Sequence, residues 1–322
     1  MNQNITEEEL KNYEELIDIG NEENKPDHDK LNKLLGHKNK FSCFKRYKLG
    51  KLSINIIIPA LLFMIIVYFL IKYISSYNAT FKLIKVKSKK ELIQKAGDII
   101  IETIQNNLNP KISLTTGGLP KNIYKYLIDK YEEKEISFVN TTFFNLYEYC
   151  GLEQNSKKSN SYYIKDNLFD HIDINENNIY LINSFGESCE ENVDKYKEVL
   201  NRNEIDLQLI NIDDEFNLGI NGPGVALESK THIAQLSEIR KHDIAERFDI
   251  EIKDAPKEGI TQGIDDIIKS KIILVVAEGK QNAEGLKNIM KGKVDIEKPS
   301  STLKNHVGIV YIVADEDACS LL

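Results

Sequence analysis

Residues 114–124, Leu-Thr-Thr-Gly-Gly-Leu-Pro-Lys-Asn-Ile-Tyr, set a glycine pair between a short apolar run and the start of a helical stripe. Glycines at such a junction let backbone amides approach an anion, and the N-terminus of the following helix adds partial positive charge. Thr116, Gly117 and Gly118 are therefore candidates for holding a phosphate or carboxylate. The dipeptide alone serves a plain turn equally well. Metal chemistry has no comparable candidate. Cys43, Cys150, Cys189 and Cys319 lie far apart, form no CxxC pair and have few histidines near them. Neither a zinc site nor another cofactor is expected from that spacing, nor a dense disulfide framework. Nucleic acid is set aside as a partner, because a formal net charge of −8 opposes the clustered cations that neutralise phosphates.

The elements that must position these residues follow from hydropathy. Residues 1–51 run from acidic (Glu7, Glu8, Glu9, Glu14, Glu15) to basic (Lys45, Arg46, Lys48, Lys51) with little apolar periodicity, which predicts a flexible polar tail. Residues 52–74 are apolar apart from Ser53, Asn55 and Lys72 near the ends. At ~1.5 Å per residue such a segment crosses a ~30 Å hydrocarbon layer, so a single transmembrane helix is expected. The denser basic cluster precedes it, which favours a cytosolic N-terminal tail in a single-pass membrane protein. Residues 75–84 are a linker running into the first strand, and 85–322 form the folded domain. Apolar runs predict strands over 81–88, 111–114, 137–144, 179–183, 205–212, 272–277 and 307–313, with helical stripes between them, such as Leu92, Ile93, Ala96, Ile99, Ile100 and Ile104. Strands alternating with helices predict an α/β domain, a mostly parallel sheet covered on both faces with its crevice beyond the C-terminal strand ends.

Three further stretches keep company with the glycine loop. They are 138–152 (FVNTTFFNLYEYCGL) continuing into 160–184, the run 205–223 (IDLQLINIDDEFNLGINGP), and Ser301, Leu303 and His306 near the end, after a Gly279–Ala283 turn. Together they resemble the glucosamine-6-phosphate deaminase family of the 6-phosphogluconolactonase-like superfamily. The first stretch is similar to that family's Asn-Met-Asp-Glu-Tyr-Val-Gly-Leu motif. The second aligns with its strand and loop ending Gly-Asn-Asp-Gly-His-Ile-Ala-Phe-Asn-Glu-Pro. The resemblance covers about Phe81 to Leu322 and implies a Rossmann-like sugar-phosphate isomerase fold. The activity it implies is an aldose–ketose isomerisation with loss of ammonia, in which a carboxylate moves the C2 proton and a histidine with acidic helpers opens the ring.

The chain departs from that pattern where the chemistry sits. The family's proton-abstracting Asp falls at Tyr147, a poor base at neutral pH with a reference pKa near ~10, while Glu148 and Tyr149 are kept. The ring-opening His falls at Asn217, its Asp partner at Glu215 and its supporting Glu at Gly222. Loop glycines become Ile210, Asn211, Asp213 and Phe216. Family phosphate ligands align with Val225, His232, Ala234, Asn282 and Leu119, leaving Thr116, Gly117, Gly118 and Arg247 as the anion contacts. Each lost charge-assisted hydrogen bond removes ~1.5–3 kcal/mol of binding. The resulting expectation is a membrane-anchored pseudoenzyme that binds a sugar phosphate or a protein partner, with self-association carried over from the family. The alternative is a divergent deaminase in which Glu148, Glu215 and Arg247 form a rearranged site. A lactonase-type hydrolase ranks lowest, since that branch also relies on the missing His. His171 and His306, with Tyr162, Tyr163 and Phe169, are expected to pack in the core.

Overall fold

The computed structural model describes residues 61–68, 79–152, 156–183, 185, 188–212 and 215–322. Contacts divide the chain into residues 1–63 and 64–322. Residues 61–68 are helical, and Leu61, Leu62, Phe63, Met64, Ile65, Ile66 and Tyr68 are all exposed. Among the described residues no helix is long and apolar enough to cross a membrane. The rest of the 52–74 span and the 1–51 tail lie outside the described residues.

The domain is built on a seven-stranded sheet. Its strands are β1 (Thr80–Val86), β2 (Lys111–Leu114), β3 (Thr142–Asn145), β5 (Ile179–Tyr180), β6 (Leu207–Asn211), β9 (Ile272–Ala277) and β10 (Ile309–Asp315), and every pairing is parallel. They lie in the order β1-β10-β9-β6-β2-β3-β5. These are the seven strands predicted from apolar runs, with shifted ends. The 137–144 run pairs only from Thr142, because Phe138 and Thr141 turn back on each other before the sheet begins (Thr141 N–H to Phe138 O, 2.8 Å). The 179–183 run pairs for two residues, since Ile182 N–H is taken by the Asn145 side chain at 2.8 Å instead of a strand.

Both faces of this sheet are buried, as its two-sided apolar strands require. Along β9, Leu274 and Val276 join one core while Ile273, Val275 and Ala277 join the other. Helices α1 (Lys89–Gln105) and α2 (Gly118–Glu132) cover the first face through Leu92, Ile100, Ile123 and Leu127. Helices α6 (Ile264–Ile268) and α7 (Ala283–Lys291) cover the second through Ile264, Ile267, Leu286 and Ile289. Three more helices, α3 (Asn160–Asn167), α4 (Cys189–Asn201) and α5 (Glu238–Phe248), come between these in the chain.

A second, three-stranded antiparallel sheet went unpredicted. It consists of β4 (Tyr147–Tyr149), β7 (His232–Gln235) and β8 (Glu258–Thr261), in the order β4-β8-β7. Its strands are three or four residues long and carry Glu148, Gln235 and Gly259, so no apolar run announces them. Gly259 is required there, because a Cβ would lie 2.6 Å from the Glu148 carbonyl oxygen and 2.9 Å from Ile220. Close backbone approach of this kind is what glycine in a strand permits.

Strand order reverses between β2 and β6, and crevices of parallel sheets open at such a point beyond the carboxyl strand ends. The 115–118 loop leaves β2 there, and the segment from Ile212 to Pro223 leaves β6. Substituting Gly259→Ala should push β4 from β8 and lower unfolding stability by about 1–3 kcal/mol, read by urea denaturation of the full chain.

Candidate functional site

The β2 loop has the geometry expected of an anion cradle. Gly117 holds φ 136°, a conformation that L side chains rarely adopt, and caps α2, while Gly118 is exposed, with no atom within 4 Å of the place a Cβ would occupy. The first amides of α2 have no intrahelical acceptor and lie at this loop. Gly117 O accepts from the Tyr163 hydroxyl at 2.6 Å, and the Arg247 guanidinium lies 4.8 Å from the Tyr163 ring. Arg247, exposed near the end of α5, is thereby brought beside the loop. Thr116 is buried, and its hydroxyl donates to Asn160 Oδ1 at 3.0 Å and meets the Tyr147 hydroxyl at 3.1 Å.

Tyr147 and Glu148 open β4 where the chain leaves the parallel sheet. A buried polar network makes that corner. Gln262 Nε2 donates to Ser113 Oγ and Asn145 O, both at 2.9 Å, and the Tyr196 hydroxyl donates to Asn145 O at 2.7 Å. Successive strand residues point to opposite sides, so Tyr147 and Glu148 diverge. Tyr147 faces the anion loop. Glu148, fully buried, faces the start of α3, where Oε1 accepts from Tyr149 N–H (2.8 Å) and Asn160 N–H (2.9 Å), and Oε2 from Ser161 N–H (2.7 Å) and Ser161 Oγ (2.8 Å). Burial pushes its pKa up, and these donors oppose the shift. A carboxylate at a helix N-terminus satisfies orphan amides and the dipole together. Glu148 is thus engaged as the cap of α3, beside the Ser159 hydroxyl that accepts from Tyr162 N–H at 2.9 Å.

The β6 loop lines a separate cleft of about 480 Å³ bounded by Glu215, Asn217, Gly222, His232, Ser237 and Arg240 among others. Glu215 Oε2 accepts from Asn217 Nδ2 at 3.4 Å and from Ser237 Oγ at 3.1 Å. Ser237 Oγ in turn accepts from Arg240 N–H at 3.1 Å as the N-cap of α5, so Glu215 ties the loop to that helix. A Cβ on Gly222 would lie 3.7 Å from Asn217 Oδ1. Phe216 holds φ 60°, a left-handed conformation more natural to glycine.

Arg240 is the site residue that sequence reasoning missed. It lines the cleft, and its guanidinium lies 5.8 Å from the Tyr147 ring. Nothing in the 238–248 helical pattern distinguished it from a surface arginine. Tyr149, buried beside Tyr147 with ring centroids 6.0 Å apart, is held well above the usual phenol range by burial, with Tyr147 adding to the shift and Arg240 and Arg247 opposing it. The structure thus gathers Thr116, Gly117, Gly118, Tyr147 and Arg247 at one mouth, Glu215 and Asn217 in the neighbouring cleft, and turns Glu148 away from both. Among the described residues no group of His, Cys, Asp and Glu could hold a metal.

Residues 87–312 match the family of glucosamine-6-phosphate isomerases and 6-phosphogluconolactonases. The chain belongs to that family. A glucosamine-6-phosphate deaminase of Clostridium perfringens strain 13 is 38% identical over 242 residues, which are 75% of this chain and 99% of that protein. Another, of Thermoanaerobacter pseudethanolicus, is 34% identical over 242 residues, 75% of this chain and 95% of that one. A solved monomeric glucosamine-6-phosphate deaminase superposes with a TM-score of 0.72 at 31% identity, covering 75% of this chain and 100% of that one. The 6-phosphogluconolactonase of Trypanosoma brucei shares the fold, with a TM-score of 0.62 at 15% identity over 76% and 99% of the two chains.

Two histidine expectations part company in this family fold. His306 is fully buried with Nδ1 2.8 Å from Ile268 O, whereas His171 is exposed. The short turn Phe169–His171 buries Phe169 and leaves His171 outward, its Nε2 3.0 Å from Asp166 O. Tyr162 and Tyr163 are half-buried, Tyr163 because its hydroxyl is spent on the anion loop.

Glu148→Gln should cost about 2–4 kcal/mol of unfolding stability, because one amide oxygen cannot accept from all four donors and the amide nitrogen opposes the remainder. Glu215→Gln, in a half-exposed loop, should cost under about 1 kcal/mol. Thermal unfolding of the two variants side by side checks the contrast.

Proposed function

We propose that this family member is anchored in a membrane through residues 52–74, with its 1–51 tail cytosolic, and binds an anionic ligand without deaminating it. The observation that carries the reading is the β4 pair. The position matched to the proton-abstracting carboxylate is Tyr147, hydrogen-bonded to Thr116, and the adjacent carboxylate is buried against α3. A general base must lie within hydrogen-bond reach of the proton it removes, and neither residue meets that need. Asn217 opposite Gly222 likewise offers no proton shuttle where the family has a His and a Glu.

The ligand class supported by the loop is a sugar phosphate, with Gly117 and Gly118 amides and Arg247 as its anion contacts. A protein partner is the other occupant the pseudoenzyme reading allows. One observation favours retained chemistry instead: Glu215 lines the cleft 3.4 Å from Asn217, where a carboxylate could act on a substrate approaching from the β6 side. The full chain in detergent should release no ammonia from glucosamine 6-phosphate above the blank, with the Clostridium perfringens deaminase as positive control. Millimolar glucosamine 6-phosphate should raise its thermal midpoint, since a ligand at 100 times its Kd adds about 2.7 kcal/mol to the folded state, and Arg247→Ala should diminish that rise. Ammonia release abolished by Glu215→Gln would establish the divergent enzyme in its place.

A further inference from the structure

Cys150 and Cys189 are bonded to each other, their Cα atoms 6.1 Å apart across 39 residues of sequence. Cys150 follows Tyr149 at the end of β4, and its N–H donates to Glu258 O at 3.0 Å. Cys189 is the first residue of α4. Both pack against a small apolar cluster of Ile182, Val193, Tyr196 and Ile260. The pair is therefore set between two fixed elements. Cys150 also stands where the deaminase motif has Val, so that position of the family needs no thiol.

We propose that this disulfide is a structural modification of the working protein, and that the domain which carries it faces an oxidising compartment. Disulfides persist in such compartments and are kept reduced in the cytosol. The placement on the far side of a membrane rests on the anchored reading above, in which a cytosolic tail puts the domain across the bilayer and leaves Cys43 behind. The remaining thiol of the domain, Cys319, is buried and unpaired. In forming the bond the two thiols give up two protons and two electrons. A disulfide donor in that compartment takes them up by thiol–disulfide exchange and leaves as a dithiol.

The bond has mechanical use in this fold. It closes a loop that contains α3 and β5, and β5 holds the edge of the large sheet by two residues only. The same loop supplies Asn160 and Ser161 to the Glu148 carboxylate. Cross-linking its ends removes conformational entropy from the unfolded chain and steadies the cap that orients β4.

The test uses the full chain in membranes of its own cell, lysed directly into denaturant that contains the thiol-blocking reagent, with peptides mapped without reduction. Cys150 and Cys189 peptides should be joined, with Cys43 and Cys319 carrying the blocking label. Label on both Cys150 and Cys189 would overturn the proposal. A linked pair in a chain that alkaline carbonate strips from the membrane would sink the anchor while the disulfide stood, which separates the two readings. Reductant should lower the thermal midpoint of the purified wild type by roughly 5–10 °C, to the value of Cys150→Val/Cys189→Ala, whose midpoint reductant should leave unchanged. Equal midpoints for oxidised and reduced wild type would deny the bond its structural role.

Discussion

The Glu148 carboxylate at the N-terminus of α3 is the contact on which the site depends. A buried carboxylate is costly unless donors surround it, and four donors within 2.9 Å meet this one. Because three of them belong to Asn160 and Ser161, the start of α3 and the middle of β4 cannot move independently. The alternation of a strand then leaves Tyr147 one direction, toward Thr116 and the β2 loop. Orientation at the mouth of the crevice is thus set by a residue that does not itself open onto it.

This arrangement gives the Glu of the β4 motif a structural task of its own. Removing Glu148 would strand helix amides, a structural cost independent of any substrate. The neighbouring position carries no such obligation, and a tyrosine there finds the Thr116 hydroxyl and lies beside the Tyr149 ring and the Arg240 guanidinium. Phe216 follows the same logic. Its φ of 60° costs on the order of 1 kcal/mol or more for a bulky side chain, offset in part by the Ser300 N–H bonded to its carbonyl at 2.9 Å and by Lys298 5.0 Å from its ring.

The seven parallel strands were legible because burial on both faces leaves apolar runs such as Ile272–Ala277, which no other arrangement accommodates so simply. The antiparallel sheet was not, since its short strands depend on neighbours distant in sequence: Glu148 is held by the start of α3, and Gly259 leaves room for the Glu148 carbonyl on the paired strand. Thr116, Gly117, Gly118 and Arg247 could be named from motifs, and Tyr163 joins the last to the loop. Arg240 could not, because its proximity to Tyr147 comes from the start of α5, which Ser237 and Glu215 hold in place. The inward turn of Glu148 was equally hidden, because the donors it meets on Asn160 and Ser161 lie 12 and 13 residues further along the chain.

A crevice that moves protons and one that holds an anion need different side chains. Tyr147, Asn217 and Gly222 stand at the three positions the resemblance matches to Asp, His and Glu, while Glu215 bonds to Asn217 and Ser237 and His232 lines the same cleft. Arg247 remains at one mouth and Arg240 beside the other. A general acid–base site needs a group whose pKa lies near the working pH, whereas an anion-binding site needs fixed donors that do not change state. Tyrosine hydroxyls, backbone amides and guanidinium groups are of the second kind. The residues around the β2 loop are thus donors of the second kind, while Glu215 and His232 line the neighbouring cleft, where a group of the first kind would have to sit.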